Sequence, residues 1–261
     1  MSSATRFRIN LEKKFPHLNR APIVEAVIDL RAAVAVAWEE STITEILKPK
    51  LPEYPKKQSM SGFQQQVTLA PGTVPAARTI DTGWTGLRVQ TEDGLQIAQF
   101  NRSGFVFSRL RPYEEWERLL SEAMHLWEVF ASLGQPPEIQ RIGVRFINRI
   151  DLSIAEVDLD DYLRPAPEGA RELRIPCRHF FYADAFGVPG HPYAINRIRT
   201  SQPVPGLQPE TTALVLDIDV STTEPSPLRR DLLEQRLTEM RWLKNKMFFG
   251  SIAPNALEAF R

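Results

Sequence analysis

The segment Arg141–Asp151 carries Arg141, Arg145 and Arg149 four residues apart, with Gly143, Ile147 and Asp151 in phase with them. The alternate positions Ile142, Val144, Phe146 and Ile150 are apolar. Alternation of this kind marks a strand with one face buried, so the three guanidinium groups share the other face. Four residues of extended chain span about 13 Å, so the arginines form a row and not one clamp. A planar guanidinium meets phosphate or carboxylate through two parallel hydrogen bonds, so such a row suits an anionic ligand or acidic neighbours.

Other alternating segments offer those neighbours. Glu25, Asp29 and Arg31 stand out of phase with Ala26, Ile28 and Leu30. Asp217 and Asp219 stand out of phase with Leu214, Leu216, Ile218 and Val220. Arg197 and Arg199 share their phase with Tyr193 and Ile195, and are assigned to the same mosaic. Glu25, Asp29, Arg31, Arg141, Arg145, Arg149, Arg197, Arg199, Asp217 and Asp219 are therefore the candidate ligand- or partner-binding residues. As a solvated face they would form cross-strand ion pairs of about 0.2–1 kcal/mol each. As a concave site they would hold an anion, with Mg²⁺ on the carboxylates.

No catalytic residue and no metal ligand is assigned. His17, His125, His179 and His191 lack metal-ligand spacing, and Cys177 near His179 has no third group to orient a nucleophile. No phosphate loop, nucleophile elbow or dinucleotide fingerprint occurs, so no cofactor is expected.

These residues need a scaffold, and the chain supplies one. The protein has 261 residues, 43% hydrophobic and 25% charged, with 32 basic and 32 acidic side chains. Zero net charge speaks against a general polyanion binder. One cysteine gives no disulfide framework, and no apolar run is long enough to span a membrane. The start of the chain has no apolar signal core, so a cytoplasmic location is expected.

Alternation predicts strands over 23–34, 87–91, 95–101, 105–110, 139–152, 178–185, 193–200 and 212–220, with Asp93-Gly94 as a tight hairpin turn. Short helices are expected at 42–48 and 159–163. Long ones are expected at 112–133 and 227–247, the second striped by Leu228, Leu232, Leu233, Leu237, Met240, Leu243 and Met247. A last short helix begins at Pro254. The order strand, short helix, three strands, long helix occurs twice. The expected fold is α+β: two pseudo-repeats, 1–134 and 135–261, joined as one globular unit. Each would be a curved antiparallel sheet, saddle or barrel-like, covered on one face by its long helix.

Three stretches carry a resemblance: Ala21–Ala26 (APIVEA), Phe107–Trp116 (FSRLRPYEEW) and Arg141–Ile150 (RIGVRFINRI). On these the chain resembles a sporadically distributed bacterial family of about this length, to which no agreed activity is attached. The resemblance implies an accessory role of the kind found near mobile or defence loci, and no catalytic residue. The leading expectation is a non-enzymatic regulatory protein that binds a protein partner encoded in the same operon. The alternatives are a Mg²⁺-dependent phosphohydrolase or anion binder on the charged face, and a nucleic-acid-binding saddle. No membrane partner is expected.

Overall fold

A computed structural model describes residues 7–36, 38–68, 76–152, 158–167, 179–203 and 212–261. Cys177 and most of the proline-rich stretch 203–209 lie outside these residues. The strands are β1 (Ile23–Arg31), β2 (Lys56–Thr68), β3 (Ala76–Gln90), β4 (Gln96–Asn101), β5 (Gly104–Leu110), β6 (Arg141–Leu152), β7 (Phe181–Gly187), β8 (Ala194–Pro203) and β9 (Thr212–Thr222). The helices are α1 (Glu40–Lys50), α2 (Trp116–Gly134), α3 (Arg230–Ser251) and α4 (Pro254–Glu258), with one 3-10 turn at Leu159–Asp161. No helix among the described residues is long and apolar enough to cross a membrane.

All nine strands join one antiparallel sheet in the order β2-β3-β4-β5-β1-β6-β9-β8-β7. The sheet is not closed; β2 and β7 are its edges. It is therefore a single open layer and not the barrel anticipated as one alternative. At its middle β1 pairs with β6, Ile28 opposite Val144 and Arg31 opposite Arg141. The last strand of each half then pairs with that half's first: β5 with β1, β9 with β6. The halves differ in content. Four strands lie between α1 and α2, but three between the 3-10 turn and α3 among the described residues. The extra one, β2, is a polar edge strand whose KKQSMSG beginning has no apolar period.

Helices α1, α2 and α3 cover one face. Ile28, Phe105, Phe107, Val144, Phe146, Ile218 and Val220 are buried there. Helix α2 lays Trp127 and Phe130 on this surface, Phe130 meeting Trp38 at 5.3 Å and Phe105 at 6.1 Å between ring centroids. The helix begins at Trp116, later than Pro112, and Gly134 is its last residue; Gln135 takes the left-handed turn at φ 44. Helix α3 begins after Pro227 and Leu228, and Leu228 is exposed. Its inner face is Leu233, Leu237, Met240, Lys244, Phe248 and Ser251, so a lysine sits between apolar neighbours, four residues from both Met240 and Phe248. The segment 7–23 packs across α3, with Phe15 stacked on Phe249 at 5.4 Å.

Candidate functional site on the helix-free face

Strand alternation sends Arg141, Arg145 and Arg149 to the side opposite Ile142, Val144, Phe146 and Ile150, which are 0–8% exposed under the helices. The three arginines thus share the helix-free face. Neighbouring strands bring the carboxylates. Asp29 on β1 stands beside Gly143, and Asp219 on β9 beside Arg145.

Arg141 bends along its own strand over Gly143. Its Nη1 donates to Asp29 Oδ2 at 2.5 Å and its Nη2 to Asp219 Oδ2 at 2.9 Å, so one guanidinium ties β6 to both neighbours. Gly143 makes this path available, because a Cβ there would lie 2.5 Å from Arg141 Nη1. Arg31 Nε adds a looser contact, 3.4 Å from Asp29 Oδ1. Arg145 holds Asp217 with its fork: Nε to Oδ1 at 2.9 Å and Nη2 to Oδ2 at 2.5 Å. Arg149 Nε donates to Asp151 Oδ1 at 2.7 Å. Each arginine of the row therefore already has a carboxylate on the same face.

The electrostatics follow from these pairs. Hydrogen bonding to Asp217, and its charge, raise the Arg145 guanidinium above its ordinary value against the opposing effect of burial. Glu25 acts on Arg145 in the same direction. Asp219 goes the other way: burial lifts its carboxyl above the usual range, and the attraction of Arg141 and Arg145 only partly offsets that. Among the described residues no three His, Cys, Asp or Glu side chains converge as a metal-holding group.

Arg197 and Arg199 do not belong to this face. In β8 they stand opposite Ile218 and Leu216, whose side chains are buried beneath α3. Register alone decides the matter, since residues directly opposite in a ladder share a face. Both arginines are themselves buried, at 9% and 6% exposure. Their common counter-charge is Asp184 of β7, 2.8 Å from Arg197 Nη2 and 3.4 Å from Arg199 Nη2. Arg197 also donates to Ser251 Oγ at the end of α3, and Arg199 to the Pro165 carbonyl. Phe186 and Tyr182 lie against the two guanidinium groups at 5.5 Å each. The Arg197 hydrogen bond holds the Asp184 carboxyl below its usual range despite the opposing effect of burial. Burial lowers Arg199. This cluster welds the β7–β8 edge to α3 and is separate from the arginine row.

Asp184 and Lys244 were not among the sequence candidates. The signal for Lys244 is its helical spacing from buried residues of α3, seven beyond Leu237, four beyond Met240 and four before Phe248. The signal for Asp184 is fainter, a lone acid in an aromatic strand.

No protein-family model, curated protein or solved structure matches the chain.

Proposed function

We propose that the chain is a non-enzymatic interaction protein that docks a protein partner on the helix-free face of its sheet. The observation that carries this reading is the pairing of Arg141, Arg145 and Arg149 with Asp29, Asp219, Asp217 and Asp151. A polyanion is attracted by cations whose charge is not spent on neighbours. Here the guanidinium groups are engaged, and the face offers alternating charge of both signs. A mosaic of that kind is matched by the mixed charges of another protein surface, which gives orientation and specificity more than raw affinity. An open sheet also has no tunnel in which to hold a polyphosphate. The resemblance to a sporadic bacterial family favours an accessory role in the cytosol, with the partner encoded in the same operon.

A photo-crosslinking residue at Asn196, exposed on the same face of β8, tests the reading against one at Ser121 on the outer side of α2. The expected result is one cross-linked partner from Asn196 and none from Ser121. Exchanging the pair, Arg145→Asp with Asp217→Arg, leaves the net charge of the face unchanged but alters its pattern, and should abolish the adduct. Equal labelling from both positions, or an adduct that survives the exchange, would overturn the proposal.

A further inference from the structure

A cavity of about 370 Å³ lies between the segment 11–23, α3, the start of α2 and β6. Its walls are mixed: the rings of Phe15, Tyr113, Trp116, Trp242, Phe248 and Phe249 alternate with polar and charged side chains. Lys244 lines it from the inner face of α3 and is only 7% exposed. Its Nζ stands 3.8 Å from the centroid of the Phe146 ring. No carboxylate holds it among the described residues. Of the three acids on the cavity, Glu117 is engaged by Arg241 at 3.1 Å, Glu114 by Arg109 and Arg118, and Glu115 is exposed to solvent. A buried ammonium without an anion is costly, and proteins ordinarily pair it or neutralise it. Trp242, two residues away on the same helix, adds a buried indole Nε1 that also has no acceptor. The cavity thus combines a set of aromatic rings, a cation lacking its counter-charge and a second donor lacking its acceptor.

We propose that this cavity is a small-molecule site for an aromatic or apolar carboxylate whose anionic end pairs with Lys244. The aromatic rings take the body of the ligand, as in most small-molecule sites, and the lysine fixes its orientation. The site is distinct from the charged sheet face, since Phe146 and Arg145 point to opposite sides of β6.

The lysine has an unusual titration. Burial, and secondarily the charge of Arg241, lower it to about 7. An anion binds the protonated amine, so affinity should fall as pH rises through that region, approaching tenfold per pH unit. The other charged or titratable groups on the cavity are Lys13, Lys14 and His17 from the N-terminal segment, Tyr113, Glu114, Glu115 and Glu117 from the α2 side, and Arg241 from α3; β6 contributes only Asn148.

The probe is 1-naphthoate, compared with the uncharged 1-naphthalenemethanol, with binding followed by the fluorescence of the cavity tryptophans and by calorimetry. At pH 6 the wild-type chain should bind naphthoate at least tenfold tighter than the alcohol, and the preference should shrink by pH 9. In Lys244→Met the preference and its pH dependence should disappear, while His17→Gln should keep both. Nitrogen-15 NMR of the lysine side chains in the wild-type chain provides a reading that needs no variant: naphthoate should raise the Lys244 titration. No binding at millimolar naphthoate, equal affinity for acid and alcohol, or an unmoved Lys244 titration would overturn the proposal.

Discussion

The guanidinium of Arg141 lies over Gly143, so the absence of a side chain at one position fixes the path of another two residues away. That path ends between Asp29 and Asp219, whose side chains are 19% and 22% exposed. Gly143→Ala should push Arg141 out and leave the two carboxylates facing each other. Removing a charged hydrogen-bond partner of this kind should cost about 1–3 kcal/mol by urea denaturation at pH 7. Asp219 already keeps its proton to higher pH than an unfolded aspartate does. The cost of ionising it is felt above its folded pKa and relieved as pH falls toward the unfolded value. In the variant, part of the lost stability should return on acidification, and a loss that does not vary with pH would contradict this.

Asp184 balances two arginines whose side chains are 10% and 7% exposed. Asp184→Asn keeps the shape but leaves Arg197 and Arg199 against each other, and should destabilise the protein by about 3 kcal/mol. The carboxyl is held below its ordinary range, so its contribution is complete above the unfolded value and disappears as pH falls through the lower, folded one. Thermal melts between pH 5 and 2 should show a steeper loss for wild type than for the variant.

Lys244 gives the opposite kind of profile. The unfolded lysine binds its proton up to about pH 10.4, whereas the folded one releases it near 7. Between these values the unfolded state carries more protons, so stability should rise with pH, by up to about 1.4 kcal/mol per unit. Burial raises Tyr54, Tyr113 and Tyr193, so their contribution belongs to more alkaline solution than pH 7.5–9.5. Lys244→Met should be more stable than wild type at pH 7.5 and nearly flat across this window, as read by urea midpoints. A wild-type profile as flat as the variant's would refute the assignment.

Phe130 is fully buried and touches Trp38, Phe100, Phe105 and Trp127. Phe130→Ala should open a void beneath α2 that these rings cannot close, costing about 3–5 kcal/mol. A loss below about 1 kcal/mol in chemical denaturation would mean that α2 does not anchor this half of the sheet.

The arginine row was legible because Ile142, Val144, Phe146 and Ile150 of β6 are buried in one phase and the three arginines stand in the other, with Ile147 and Asn148 as the two departures from the pattern. Arg197 and Arg199 were misread because β8 places charge on its helix-covered side. Their in-phase neighbours Tyr193 and Ile195, both buried, were the clue that this phase faces inward. The counter-charge that permits their burial, Asp184, comes from another strand, and no property of β8 alone announces it. Strand β2 escaped notice for a related reason: an edge strand beyond the helices, with Phe63 exposed at 67%, is under no pressure to alternate. Lys244 was visible as a position in the stripe of α3, but its isolation from acids emerges only when α2 and the N-terminal segment are folded against it.

The seam between β1 and β6 lies at the heart of the sheet, although it joins the beginnings of the two halves of the chain. A nick in the link between Gly134 and Arg141 would give each fragment a raw inner edge, fitted only by the other fragment. The two pieces, expressed together from separate genes, should reassemble along that edge and co-purify, whereas either one alone should be consumed by proteolysis.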